Sequence, residues 1–223
     1  MAETRAPAPF TQPGPGLFLA FEGVEGSGKT TQVARVAEHL RSLGAAVIVA
    51  REPGSTPLGE RVRELVLEAT ELNIPGRSEL FLMLAARAAF VDQVVRPALI
   101  CGKVVIADRF ELSTLAYQGA GRGLPTEEIV RANRFATGGI LPDATLLLEL
   151  DPEEGARRQA AAAKRKDRLE SESLAFHQRV AAGYLDLADE VEGLMRVDAR
   201  GSIEEVGERI LLRLRARFPE TFV

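Results

Sequence analysis

The sequence is poor in the residues that build disulfides and metal centres. Its 223 residues include one cysteine, Cys101, so the chain cannot form a disulfide within itself, and we expect a reducing, cytoplasmic setting. The two histidines, His39 and His177, lie far apart and have no cysteine partners, which argues against a zinc site. No apolar run approaches the ~20 residues that span a bilayer, and the first residues lack the apolar segment of a secretory signal. We therefore expect neither a membrane span nor a secretion signal.

An excess of basic charge is also missing. The sequence has 28 Lys and Arg against 32 Asp and Glu, which gives a formal net charge of −4. This balance argues against a general nucleic-acid-binding protein, so any basic site must be local and we expect no nucleic-acid partner. Apolar residues make up 46% and charged residues 27%, which is typical of a globular chain with a substantial core.

The start of the chain differs in composition from the rest. Residues 1–16 contain four prolines, at positions 7, 9, 13 and 15, and two glycines. Such a segment forms neither helices nor sheet ladders well, so we expect a disordered tail over 1–16. The remaining length is about one domain's worth. We therefore expect a single folded domain over 17–223.

Short apolar runs alternate with helical patterns along this domain. We predict strands at the segments 17–21, 47–50, 104–107 and 145–149, and a fifth, edge strand at 195–198. We predict a helix that follows the segment 23–30 and ends at about residue 43, and another that begins at about residue 152. Five further helices are predicted at about 58–69, 78–99, 126–136, 171–190 and 202–218. The alternation predicts an α/β fold with a five-stranded parallel sheet and helices on both faces. Ligands of such sheets bind outside the carboxyl ends of the strands.

A phosphate-binding motif follows the first predicted strand. The spacing Gly23-x4-Gly28-Lys29-Thr30 matches G-x-x-x-x-G-K-[ST] between a buried strand and a helix. The backbone N–H groups of the motif and the N-terminus of the following helix are expected to bind phosphate oxygens. Lys29 is expected to bind the β and γ phosphates, and the Thr30 hydroxyl is expected to ligate Mg²⁺. The motif therefore predicts binding of a nucleoside triphosphate. The predicted ATP-binding residues are Gly23, Val24, Glu25, Gly26, Ser27, Gly28, Lys29, Thr30 and Thr31.

Other classes of nucleotide-binding protein fit the sequence less well. A GTPase switch carries a D-x-x-G after a strand and an N-K-x-D for guanine. The only D-x-x-G here, 198–201, lies near the end of the chain, and no N-K-x-D exists. A motor or oligomeric ATPase usually needs a longer chain.

Two further features indicate transfer of a phosphoryl group to a small anionic acceptor. Four arginines follow strands or lie on neighbouring helices, and arginine binds phosphate through two parallel hydrogen bonds. They are Arg51, Arg63, Arg87 and Arg109. The basic run 164–168 lies between two predicted helices, where a lid at about 160–170 could supply cations and exclude water. Taken singly, each arginine could be a solvated surface charge, and the run could be a solvated loop.

From residue 17 to the C-terminus, the sequence resembles the thymidylate kinases of bacteria. The resemblance rests on the blocks 21–31, 51–54, 85–87, 108–110, 113–119 and 142–143, and on Arg168, Glu170, Phe176 and Tyr184. It implies the fold of P-loop nucleoside-monophosphate kinases with a short lid. It also implies transfer of the γ-phosphoryl group of ATP to dTMP, giving dTDP and ADP for dTTP biosynthesis. Mg²⁺ would accompany ATP, and the enzyme would be a homodimer.

The resemblance also implies roles for residues in the acceptor site. Glu25 would bind the 3′-hydroxyl of the sugar, and Arg109 would hold the acceptor phosphate. Asp108 would support Mg²⁺ beside Thr30. Tyr117 would pack under the deoxyribose and leave no room for a 2′-hydroxyl. The alternative interpretation is a core aromatic that uses its hydroxyl as a polar handle.

The thymine pocket would be polar along one edge. By the resemblance, Arg63 and Arg87 would line it, and Thr114 and Gln118 would complete that edge. Arg51 belongs to the same predicted acceptor site.

Three positions depart from the family pattern. Met83 lies where the family usually has a phenylalanine that stacks on thymine. The methionine thioether can still pack on the face of the base. Ser55 replaces the second glycine of the block that begins at Arg51, and Glu149 replaces an aspartate at the end of the fourth strand.

Members of the family differ in where the catalytic cation lies, either in the phosphate loop or in the lid. Here the loop has the small residues Gly26 and Ser27, and the lid is basic. The chain therefore resembles the bacterial type, with Arg165 and Arg168 as the lid residues that contact the transferred phosphate.

Two alternatives remain open from the sequence. One is a kinase of the same fold that acts on another nucleotide or on a nucleoside, which would not need Arg109 to hold an acceptor phosphate. The other is a non-catalytic nucleotide-binding protein, which would have no use for lid cations. Binding without turnover would favour the second alternative.

Overall fold

The computed structural model describes residues 16–161, 167–188, 191 and 193–222. The predicted tail lies outside the described residues except for Gly16, whose amide donates to the Leu99 carbonyl at 3.1 Å. The lid cations Lys164, Arg165 and Lys166 also lie outside them.

The predicted five-stranded parallel sheet is confirmed. The strands are β1 Leu17–Gly23, β2 Val47–Arg51, β3 Val104–Asp108, β4 Ala144–Glu149 and β5 Leu194–Asp198, in the order β2-β3-β1-β4-β5. All neighbouring strands are parallel, and β5 is an edge strand as predicted. Asp108 is in register with both Phe21 and Arg51, so the carboxyl ends of β1, β2 and β3 meet at one edge.

Both faces of the sheet are covered by helices. Along β1 the side chains alternate between two cores, with Phe18 and Ala20 on one side and Leu19 and Phe21 on the other, all fully buried. This alternation explains why the first strand is an unbroken apolar run.

The helices follow the predicted pattern closely, with three π-helical stretches that continue α2, α3 and α5. They are α1 Lys29–Ser42, α2 Pro57–Arg63 with Glu64–Glu68, α3 Gly76–Phe90 with Val91–Val95, α4 Arg96–Ile100, α5 Glu111–Thr114 with Leu115–Gly121, α6 Thr126–Thr137, α7 Pro152–Ala161, α8 Leu174–Leu187 and α9 Ile203–Arg217. Helix α8 begins at 174 and not at 171, because the Ser173 hydroxyl caps it by accepting from the Phe176 amide. No helix in the described part of the chain is long and apolar enough to cross a membrane.

One helix is absent from the sequence prediction. Residues 111–121 form α5 and its π-helical continuation, where we predicted neither helix nor strand. This segment packs tightly on α8: a Cβ on Gly121 would lie 2.7 Å from the Phe176 ring, and one on Gly183 would lie 2.5 Å from the Ala120 side chain. Glycine disfavours helix in isolation, and here close packing between helices overrides that preference.

Candidate active site

A cavity of about 790 Å³ opens at the edge where the carboxyl ends of β1, β2 and β3 meet. Its volume is within the usual range for small-molecule sites. Of the residues predicted for catalysis, ATP, acceptor and metal, it is lined by Glu25, Gly26, Gly28, Lys29, Thr30, Thr31, Arg51, Arg63, Met83, Arg87, Asp108, Arg109, Thr114, Tyr117 and Gln118. Gly23, Val24 and Ser27 belong to the same loop, but Arg168 does not line the cavity.

The phosphate loop connects β1 to α1 in a tightly packed turn. Gly26 has a φ of 74°, and a Cβ there would lie 2.3 Å from the Gly155 carbonyl oxygen of α7, so only glycine fits. Lys29 is buried at the first turn of α1, and its Nζ donates to the carbonyls of Gly23 and Val24 at 3.1 and 2.9 Å. Burial and the nearby Arg109 lower the pKa of Lys29 to about 8.

Two oxygen ligands for a cation lie together beside this loop. The Thr30 hydroxyl donates to the Asp108 carboxylate at 2.5 Å, which joins the start of α1 to the end of β3. A hydroxyl and a carboxylate fit Mg²⁺, which prefers oxygen and keeps waters and substrate phosphates as its other ligands. The described residues contain no group of three or more His, Cys, Asp or Glu that could hold a metal ion without a substrate.

Arg109 lies at the centre of the part of the cavity predicted to bind the phosphoryl acceptor, which we call the acceptor side and which also contains Glu25 and Tyr117. Its φ is 78°, and this left-handed turn after β3 aims the guanidinium at the phosphate loop. It forms an ion pair with Glu25 and donates to the Gly23 carbonyl at 3.2 Å. It also donates to Ser113 and Tyr184, each at 3.1 Å.

Glu25 is held between cations and a phenol. Burial acts to raise its pKa, but Arg109 and Lys29 outweigh that effect and lower the pKa to about 2. The Tyr117 hydroxyl donates to Glu25 at 2.9 Å, and Arg109 lies over the Tyr117 ring at 5.1 Å. Glu25 is therefore an ionised hydrogen-bond acceptor beside an aromatic ring.

Glu22 is a buried residue of this site to which the sequence pattern assigns no role. Its carboxylate accepts from the backbone amides of Phe110 and Ser113 at 2.8 and 3.1 Å, and from the Tyr184 hydroxyl at 3.2 Å. Burial raises its pKa. These bonds fix the turn that carries Arg109. The only sequence signal is a charged residue at the end of an apolar strand.

Arg87 donates four hydrogen bonds to protein groups around the cavity wall. It pairs with buried Glu52 at 2.7 Å and donates to Thr114 and the Phe110 carbonyl, each at 2.8 Å, and to Asn133. Burial raises the pKa of Glu52 to about 7 although Arg87 opposes it. Glu52 and Asn133 were also missed, because their partners lie 35 and 46 residues away in sequence. Arg87 therefore shapes the cavity wall and holds Thr114 in it.

The other predicted arginines lie in different surroundings. Arg63 donates to the Pro53 carbonyl at 3.1 Å, and Arg51 forms a half-exposed ion pair with Glu60 at 2.9 Å. Arg168 pairs with buried Glu79 and donates to the Val66 carbonyl at 2.7 Å. The structure therefore does not bring Arg168 to the phosphate loop.

Two of the departures from the family pattern have local explanations. Ser55 adopts a φ of 62°, the conformation that favours the glycine it replaces, and its hydroxyl accepts from the Arg51 amide at 2.9 Å. Glu149 forms an ion pair with Arg196 on neighbouring β5.

Comparisons with known proteins relate the chain to one family. The model of the family "Thymidylate kinase" matches residues 21–210. Thymidylate kinase from Syntrophotalea carbinolica is 44% identical over 88% of this chain and 94% of its own, and that from Deinococcus radiodurans is 48% identical over 87% and 94%. A crystal structure of thymidylate kinase from Ehrlichia chaffeensis superposes with a TM-score of 0.72 at 31% identity, covering 90% of this chain and all of the other.

The matched range includes the phosphate loop, Arg109, Glu25 and the π-helical segment that carries Tyr117. The sheet and its helices therefore have the fold of P-loop nucleoside-monophosphate kinases, and the chain belongs to the thymidylate kinase family.

Proposed function

We propose that the cavity binds ATP and dTMP together and transfers the γ-phosphoryl group, giving dTDP and ADP. The observation that carries the proposal is that Lys29 of the phosphate loop and Arg109 of the acceptor side line one cavity. Their position supports an arrangement in which donor and acceptor phosphates approach each other directly. In the cell this reaction supplies dTDP for dTTP synthesis.

The reaction needs positioning and charge more than covalent chemistry. The loop amides and Lys29 hold the β and γ phosphates, and Arg109 holds the acceptor phosphate. No strong general base is required, because the attacking phosphate oxygen is already anionic. Thr30 and Asp108 would hold Mg²⁺, which neutralises charge on the ATP phosphates when bound.

The acceptor side is suited to a deoxyribonucleotide. Glu25 accepts a hydrogen bond from the 3′-hydroxyl, and the Tyr117 ring beside it excludes a 2′-hydroxyl. The hydrogen bond from the Tyr117 hydroxyl to Glu25, at 2.9 Å, supports this arrangement because it keeps the two side chains together. Thr114 and Gln118 contact the base edge, and Arg63, Arg87 and Met83 close the pocket around it. Arg51 lies at the exposed rim of the cavity, where it would attract the acceptor phosphate.

The test is ADP release from ATP and Mg²⁺ with a panel of acceptors: dTMP, dUMP, the ribose form of TMP, dCMP, AMP, GMP and thymidine. Turnover with dTMP alone would support the whole assignment. Comparable turnover with the ribose form would contradict the role of Tyr117, and turnover with thymidine would contradict that of Arg109. Nucleotide binding without turnover on any acceptor would favour a non-catalytic protein.

Met83 offers a test of the base pocket. We expect Met83→Phe to raise dTMP affinity about 2- to 10-fold, since an aromatic stack is worth ~0.5–1.5 kcal/mol beyond burial. Calorimetric titration of dTMP and dUMP measures this. An affinity for dTMP that does not change would show that residue 83 does not face the base.

We propose that the lid, at about 160–170, carries the catalytic cation, as in the bacterial type of the family. The absence of an arginine from the phosphate loop supports this, since Gly26 and Ser27 cannot supply charge. Arg165 is our candidate for contact with the transferred phosphoryl group. Arg168 remains a second candidate, and it would have to leave Glu79 to make that contact.

We expect Arg165→Ala to lower kcat about 10²-fold or more, with little change in dTMP affinity, because its charge acts on the transition state. Steady-state rates and dTMP titration separate the two effects. Near-wild-type turnover would contradict the assignment.

We further propose that the protein is a cytoplasmic homodimer whose residues 17–223 form one domain. Two large apolar side chains on neighbouring helices support the dimer: Phe81 on α3 is 66% exposed and Phe135 on α6 is 91% exposed. Sedimentation analysis tests the oligomeric state.

A further inference from the structure

Glu79 is a buried carboxylate directly behind the proposed base pocket. It lies on α3, four residues before Met83 and eight before Arg87, so the three side chains share one face of the helix. Met83 and Arg87 line the cavity, whereas Glu79 is completely buried next to it. Its hydrogen-bond donors are Gln118, Arg122 and Arg168, none of which lies in the phosphate loop.

Both oxygens of Glu79 are occupied by N–H donors. Oε1 accepts from the Gln118 amide nitrogen at 2.8 Å and from Arg122 Nε at 3.2 Å. Oε2 accepts from Arg122 Nη2 at 3.0 Å and from Arg168 Nη2. Burial acts to raise the pKa of Glu79, but the hydrogen bonds from Arg122, Arg168 and Gln118 outweigh it and lower the pKa. An ionised carboxylate can only accept, so the group of Gln118 that contacts it must be the NH₂.

This contact determines how the Gln118 amide is oriented. A flipped amide would place its carbonyl oxygen against a charged carboxylate, which is strongly unfavourable in a buried site. Gln118 itself lines the cavity. We propose that Glu79 is a specificity-determining positioning residue, which holds Gln118 so that its carbonyl oxygen is the acceptor offered to the nucleobase. The proposal rests on the proposed function, because it requires the base to bind beside Gln118.

The fixed orientation of the Gln118 amide makes the site selective among pyrimidine bases. Thymine and uracil carry an N3–H donor, which a fixed carbonyl oxygen accepts. Cytosine has a lone pair at N3, which the same oxygen repels. A site built to bind a donor rejects an analogue that lacks it, because the buried acceptor is then left unpaired. Glu79 therefore favours dTMP over dCMP without contacting either.

The test is Glu79→Gln. A glutamine at this position can present either its oxygen or its NH₂ to Gln118, so the Gln118 amide is free to turn. We expect the ratio of kcat/KM for dTMP over dCMP to fall about 10-fold or more. Most of the change should appear in KM, since the base contacts are alike in the ground state and the transition state.

Two controls separate positioning from folding. Arg122→Met removes one cationic partner of Glu79 but leaves its bond to Gln118, so it should lower the melting temperature without changing the ratio. Gln118→Met, alone and combined with Glu79→Gln, tests whether Glu79 acts through Gln118. If Glu79 acts through Gln118, Gln118→Met lowers the ratio by itself, and the double variant falls no further.

The outcomes are distinguishable. An unchanged ratio in a folded Glu79→Gln variant, or additive losses in the double variant, would overturn the proposal. Should Glu79→Gln fail to fold, an unchanged ratio in Gln118→Met would overturn it equally. Wild-type protein that does not phosphorylate dTMP would instead overturn the proposed function.

Discussion

Replacement of Lys29 by methionine is expected to lower turnover about 10³-fold or more while leaving the fold intact. The Nζ atom supplies the only lysine charge among the residues that line the described cavity, and transfer of a phosphoryl group depends on charge placed where negative charge develops. Methionine keeps the length and apolar stem of the side chain. Rates measured at saturating ATP and dTMP separate a loss in kcat from a loss of binding.

The same variant should be as stable as the wild type or more stable. Lys29 is buried, and its pKa of about 8 indicates that burying the charge costs free energy without ligand. The matched control is Lys103→Met, at the amino end of the sheet, which should retain full turnover. A Lys29→Met protein that unfolds at lower temperature, or one that retains its kcat, would contradict this account.

The sequence predicts the fold well where the signal is local. Apolar runs of three to five residues indicate the first four strands, and the motif that starts at Gly23 indicates both the ligand class and its place at the sheet edge. These signals need only neighbouring residues and the rules of parallel sheets. The helix at 111–121 was missed because its stability comes from packing on α8, where Gly121 and Gly183 allow close contact.

The buried carboxylates could not be predicted for a different reason. Glu22, Glu52 and Glu79 each act through partners that are distant in sequence: Ser113, Arg87 and Arg168 lie 91, 35 and 89 residues away respectively. A single acidic residue carries no sequence signal for such a partner. Arg168 is subject to the same limit: its place in a basic run predicts contact with phosphates, and the sequence carries no signal for its ion pair with Glu79.

Arg109 provides the test that best separates stability from chemistry. We expect Arg109→Met to lower kcat/KM for dTMP about 10³-fold, because the acceptor phosphate loses its cation. We also expect it to lower the free energy of unfolding by about 2–3 kcal/mol, because Glu25 is left without its ion-pair partner in a mostly buried position. Urea unfolding and steady-state kinetics on the same preparations measure both quantities.

Adding Glu25→Gln to Arg109→Met should restore part of the stability and none of the activity. The neutral amide removes the unpaired charge, and no cation returns to the acceptor phosphate. The opposite pattern, in which activity with dTMP survives Arg109→Met, would mean that Arg109 is a structural partner of Glu25. Turnover on thymidine that is unaffected by the substitution would then identify a nucleoside as the acceptor, since a nucleoside has no phosphate for Arg109 to hold.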